Sequence, residues 1–169
     1  MRSKLVVLAE RDALTGLVNR RSMERSFKDL LQDALASGLS LAVMMLDMDD
    51  FKGINDTFGH AKGDEALVAL ADILTSSVRS VDIVSRWGGD EFFVILTRAD
   101  RAAADRVIKR IHGGADSLAL LMPDKRTVSL SIGVTLSRPH DTPESIFQRA
   151  DEALYESKRT VGKNSVTYR

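Results

Sequence analysis

Apolar positions along this chain change their spacing several times, and each change marks an element. Met23, Phe27, Leu30, Leu31 and Ala34 recur at intervals of three and four, one helical face, until Gly38 stops the pattern. Asn19 stands ahead of that helix as its N-cap, closing a turn over 12–21. Leu41-Ala42-Val43-Met44-Met45-Leu46 is then continuously apolar over the length of a strand. A strand without alternation is covered on both faces, so it belongs in the middle of a sheet. It runs out in Asp47-Met48-Asp49-Asp50, where alternation directs Asp47 and Asp49 to one face and Asp50 to the other.

A short helix is predicted over 51–58 and a longer one over 63–79, with Leu67, Leu70, Ala71, Leu74 and Val78 on one stripe. Ile83-Val84 and Phe93-Val94-Ile95-Leu96 flank the Gly88-Gly89 pair as the arms of a hairpin. A helix over 101–111 is expected to break at His112-Gly113-Gly114. Segments 117–122 and 127–136 are expected to pair across Pro123-Asp124-Lys125. Asp141-Thr142-Pro143-Glu144 caps a last helix bearing Ile146, Phe147, Ala150, Ala153 and Leu154, and a short strand follows over 165–168. Residues 3–10 read as the end of a helix, giving a connector over 1–10 and one domain over 11–169. The class is α+β, an α/β sandwich: a central mixed, mostly antiparallel sheet flanked by helices, on a ferredoxin-like plan.

Bulk composition narrows the function. The 169 residues suit one domain with a proper core. Twenty-four basic and 24 acidic residues cancel, which argues against a nucleic acid polymer as partner but not against a single nucleotide. There is no cysteine, hence no disulfide and no thiolate metal site. No apolar run approaches the roughly 20 residues of a membrane span. Glu10, Arg11 and Asp12 follow the short apolar start too closely for a signal peptide. A cytoplasmic location is expected, with any membrane attachment supplied by regions outside this chain.

Two acidic clusters carry the chemistry. Asp90 and Glu91 follow the glycine pair, and carboxylates that close are costly without a cation or a set of donors. Asp47 ends the central strand nearby. Mg²⁺ is commonly held by one or two carboxylates plus substrate phosphates, so Asp47 and Asp90 are the candidate ligands.

Seven segments in order resemble the GGDEF domain, the catalytic domain of diguanylate cyclases. They are Asp12 to Arg20, Asp47 to Asp56, Phe58-Gly59-His60, Gly63-Asp64, Gly88-Gly89-Asp90-Glu91-Phe92, Ser131-Ile132-Gly133 and Ala150 to Tyr155. The resemblance implies a palm like that of nucleotidyl cyclases and the condensation of two GTP into cyclic di-GMP with release of two pyrophosphates. It further implies Mg²⁺ (or Mn²⁺) on Asp47, the Met48 carbonyl and Asp90, with Asp90 and Glu91 as the catalytic carboxylates. Asn55 and Asp64 would select guanine, because a carboxylate accepts from its N1–H and amine together. Lys52, Lys158 and Lys163, with backbone groups near Phe51 and at Gly88 and Gly89, would hold the phosphates. Three residues rather than the usual two separate Lys158 from Gly162, which leaves Lys163 the nominal second cation and Arg159 a substitute. Trp87 replaces a frequent tyrosine. Arg79 and Asp82 match an inhibitory site for the product. Activity would require a homodimer, with proximity supplied by a sensory or coiled-coil region N-terminal to this chain. The alternative is a catalytically idle module that senses GTP or cyclic di-GMP.

Blander roles suit the remaining residues. Met44 and Met45 fill core, Arg20 and Arg21 form a solvated helix start, His60 is structural, and Asp49 and Asp50 can be strand-end solvating charges.

Overall fold

A computed structural model describes residues 10–160 and 164–169 of the protein. The expected connector helix over 3–10 lies almost wholly outside the described residues, as does Lys163. In chain order the elements are β1 (Val18–Asn19), α1 (Arg20–Ser37), β2 (Ala42–Met48), α2 (Phe51–Phe58), α3 (His60–Ser77), β3 (Ile83–Arg86), β4 (Glu91–Leu96), α4 (Arg101–Ala115), β5 (Leu130–Leu136), α5 (Pro143–Arg159) and β6 (Val166–Tyr168). The strands form one mixed sheet in the order β1-β3-β4-β2-β5-β6. Strand β2 is antiparallel to both β4 and β5, while β1 runs parallel to β3 and β6 parallel to β5.

The continuous apolarity of β2 follows from this position. Ala42, Met44, Leu46 and Met48 pack in one core with Ile54 of α2, Leu67, Leu70 and Leu74 of α3, and Ile108 and Ile111 of α4. Val43 and Met45 pack in the other, against Met23, Phe27 and Leu31 of α1 and Ile146, Ala150 and Leu154 of α5. The period of two therefore assigns Asp47 to the α1–α5 side. Helix α1 begins as expected, with Asn19 accepting from the Ser22 amide, and ends at Gly38 in the left-handed region. Thr142 caps α5 in a box with Ser145, and Pro143 occupies its first turn.

Four expectations are corrected. Helix α4 does not break at Gly113 and Gly114 but continues to Ala115. A Cβ on Gly114 would lie 2.7 Å from Cγ2 of Ile73, so the glycine admits α3 into close contact. Packing of that interface outweighs a helix-propensity cost of about 1 kcal/mol per glycine. Residues 116–121 form a 3₁₀ helix rather than a strand, and the antiparallel partner of β5 is β2. A short apolar run does not distinguish the two states by itself. Helix α3 starts at His60, three residues earlier than its stripe suggested, and ends before Val78. Strand β2 ends at Met48, and Asp50 takes a left-handed conformation (φ 53°), so strand alternation does not govern it.

Candidate active site

The site forms where β2 ends beside the turn between β3 and β4. Register pairs Asp47 with Glu91 on one side and with Ser131 of β5 on the other. The turn closes with the Trp87 and Gly88 amides donating to the Glu91 carbonyl at 2.8 and 3.2 Å. Beneath it, the Trp87 ring stacks on Phe93 at 5.3 Å and carries the Arg20 guanidinium at 3.9 Å from its centroid. Arg20 is thus more than a solvated helix start.

Asp47 is 5% exposed, and its carboxyl meets that of Asp90 and the ammonium of Lys158 from α5. Burial pushes Asp47 up; Lys158 opposes the rise and Asp90 adds to it, leaving a value of about 7. For Lys158, burial works downward, but Asp47, Glu91 and Asp90 prevail and its pKa is raised. A carboxyl pair, one member buried and the other half-buried, that relies on one shared ammonium is short of positive charge. That donor set, with the Met48 carbonyl beside it, fits a hard divalent ion. Among the described residues no three acidic or imidazole side chains form a closed metal cage. A Mg²⁺ site completed by substrate phosphates and water does not need one.

A cleft of about 490 Å³ brings together Asp47, Met48, Phe51, Lys52, Asp90 and Lys158, with Asp49, Asp50, Ser129, Ser131 and Thr160 completing its wall. Asp49 is no mere solvating charge: its two carboxylate oxygens accept from the Ser129 and Ser131 hydroxyls, both at 2.6 Å, stapling the end of β2 to β5. Asp50 makes no capping bond to α2, so the helix start retains amides for an anion. Lys52 is exposed and lies 3.8 Å from Asp56.

Other predicted residues lie around this cleft. Glu91 borders an adjoining groove of about 770 Å³ along α5, which shares Lys158 and Thr160 with the first. Arg159 lies over the Tyr155 ring in that groove. Gly88 and Gly89 are exposed at the turn. Asn55, on the last turn of α2, points its Oδ1 at Gly63, where a Cβ would sit only 1.8 Å away. That oxygen is buried and has no hydrogen-bond partner among the described residues. Asp64 follows on the exposed face of α3.

Arg79 and Asp82 lie at the opposite end of the β3–β4 hairpin. Their side chains pair at 3.0 Å, but the Asp82 side chain is 1% exposed and also accepts from the Thr97 amide at 2.9 Å. The carboxylate is occupied by its own chain, while Arg79 opens on a cavity of about 180 Å³ that Arg98, Arg106 and Arg110 also line. Sequence reasoning missed these three arginines, and the interval of four between 106 and 110 on α4 was the available signal.

The model of the family described as "Diguanylate cyclase, GGDEF domain" matches residues 9–164. The chain belongs to the GGDEF domain family. It is 40% identical over 163 residues to the response regulator PleD of Caulobacter vibrioides, an alignment spanning 94% of this chain and 36% of that protein. It is 41% identical over 157 residues to the diguanylate cyclase DosC of Escherichia coli, spanning 92% of this chain and 34% of DosC. The chain therefore spans about a third of the length of these curated relatives. In three dimensions it is similar to the coiled coil and GGDEF domain of DgcB from Caulobacter crescentus, solved in complex with c-di-GMP. The TM-score is 0.91 at 29% identity, covering 98% of this chain and 88% of that one. No helix of the GGDEF domain is long and apolar enough to cross a membrane among the described residues.

Proposed function

We propose that this domain condenses two GTP molecules into cyclic di-GMP, and does so when two copies face one another. The observation that carries the proposal is the convergence of Asp47 and Asp90, from a strand end and the adjoining hairpin, beside the Lys158 ammonium. Each ribose 3′-oxygen attacks the α-phosphorus of the other nucleotide; the new O–P bond forms as the bond to the β-phosphate breaks, and pyrophosphate leaves. Each chain presents one such cleft and the product is two-fold symmetric, so two domains must meet.

Asp47, Asp90 and the Met48 carbonyl would hold Mg²⁺ or Mn²⁺. Such an ion, when bound, neutralises the triphosphate, acidifies the attacking hydroxyl and steadies the leaving group. Lys158 neutralises Asp47 and offers its ammonium to an incoming phosphate. Lys52 and the α2 amides at Phe51 receive the remaining phosphate charge, with Lys163 as a further cation. Asp90 and Glu91 stand at the reacting edge as acid–base candidates. Asn55 and Asp64 take the guanine edge: adenine would set a bare N1 lone pair against a carboxylate. Arg79 meets product in the arginine-lined cavity, and Asp82 holds Arg79 in place. An idle sensing module has no need of the acidic pair that this chain retains.

The deciding experiment incubates concentrated protein with GTP and Mg²⁺ and separates the nucleotides chromatographically, beside an Asp90→Ala control. Cyclic di-GMP is expected from wild type alone, at a specific rate that rises with protein concentration. GTP left intact at the highest attainable concentration would sink the proposal.

A further inference from the structure

One side chain links the catalytic turn to the loop through which the chain enters the sheet. Arg86, the last residue of β3, donates through Nε to the carbonyls of Gly88 and Gly89, both at 3.2 Å, and through Nη2 to Gly89 again at 2.7 Å. Its remaining nitrogen, Nη1, reaches both carboxylate oxygens of Asp12 at 3.3 Å. Both partners are largely shielded, at 19% and 21% side-chain exposure. Asp12 is itself held firmly. It accepts from the Thr15 amide at 2.8 Å and the Thr15 hydroxyl at 2.7 Å, and its own amide donates to the Leu17 carbonyl at 2.7 Å. The loop then leads directly into β1, which pairs with Ser85 and Arg86.

The turn needs such a brace. Gly88 and Gly89 are exposed and carry no side chains, so the 88–89 backbone has many conformations available and little packing to select one. Asp90 and Glu91 follow immediately, and their placement depends on that backbone. Arg86 supplies a planar fork whose geometry suits several acceptors at once, which a lysine ammonium on a flexible stem does not.

We propose that Arg86 is a positioning residue that holds the Gly88–Gly89 turn in the conformation bringing Asp90 to Asp47, and that Asp12 makes this hold depend on the 10–17 loop. The effect on turnover rests on the cyclase proposal; the effect on the turn does not. Displacement of the entry loop would then shift the turn carbonyls and lower turnover without emptying the nucleotide cleft.

The test compares wild type, Arg86→Ala, Arg86→Lys and the near-isosteric Asp12→Asn by kinetics and by amide hydrogen exchange. Arg86→Ala is expected to lose about 100-fold in kcat with little change in KM, the signature of misplaced rather than absent groups. Arg86→Lys should not recover it, whereas added methylguanidinium should partly restore Arg86→Ala. Asp12→Asn should lose less. In all three variants the Trp87 and Gly88 amides should exchange faster than in wild type, while those of the β2–β4 ladder keep their protection. Unchanged exchange at Trp87 and Gly88 in Asp12→Asn overturns the proposal whether or not the protein turns over GTP. In an active wild type, an unaltered kcat in Arg86→Ala does the same. Failure of wild type alone to make product, with the exchange difference present, counts against the cyclase assignment and not against the brace.

Discussion

Gly63 and Asn55 form the smallest unit of the proposed base site on which a single atom can be tested. Replacing a helical glycine with alanine ordinarily stabilises a protein by about 1 kcal/mol. At Gly63 the new methyl would stand 1.8 Å from the Asn55 oxygen, so the amide must turn away. Gly63→Ala is therefore expected to forgo that gain in thermal melts and to raise KM for GTP by about tenfold. A stabilised variant with unchanged KM would remove Asn55 from base recognition. Asp47 shows how environment remakes a residue at this scale. The same carboxyl that titrates near 3.8 elsewhere is held at about 7, because burial and Asp90 together outweigh Lys158. Nothing in its identity announces that; its two charged neighbours, Asp90 and Lys158, come from distant parts of the chain.

Helix α4 shows how packing overrides local preference at the scale of an element. His112-Gly113-Gly114 reads as a stop, yet the helix continues because α3 approaches so closely that Ile73 fills the space of a Gly114 side chain. Gly114→Leu should thus destabilise the protein by about 2 kcal/mol through overpacking, despite leucine's better helix propensity. Urea unfolding measures this, and pairing the change with Ile73→Ala should recover a substantial part of the loss. Equal stability of Gly114→Leu and wild type would contradict the close α3–α4 contact. Strand β2 is the opposite case. Its unbroken apolar run announced a central strand, because two cores demand apolar side chains on both of its faces.

Across the whole molecule, the ion pair of Asp141 and Arg149 ties the approach to α5 onto the end of β5. Arg149 donates to both Asp141 oxygens at 2.7 Å, to Thr135 Oγ1 at 3.0 Å and to the Leu136 carbonyl at 3.1 Å. Burial would raise the Asp141 carboxyl; Arg149, Ser145 and the Arg138 amide prevail and depress it to about 2, against an ordinary 3.8. A depressed folded-state pKa contributes stability that is present above about 4 and fades as pH falls towards 2, here about 2 kcal/mol. The stability gap between wild type and Asp141→Asn should accordingly be widest near neutrality and narrow in acid. Urea midpoints compared across that range test it, and a gap independent of pH would exclude the ion pair as its source.

Periodicity and punctuation in the chain determined most of the element plan: Asn19 and Gly38 bound α1, Thr142 and Pro143 open α5, and β2 sits at the centre of the sheet. These signals are local, written within a few residues of the feature they specify. The ordered acidic segments likewise marked Asp47 and Asp90 before any coordinates. Only the tertiary structure decided that Lys158 rests on Asp47, that Asp82 is enclosed by its own backbone, and that Arg86 spans from Asp12 to the glycine carbonyls. Those contacts join residues distant along the chain or depend on which atoms are shielded from water. Spacing carries neither kind of information, because it records which residues can share a face and not which neighbour the folded chain brings against them.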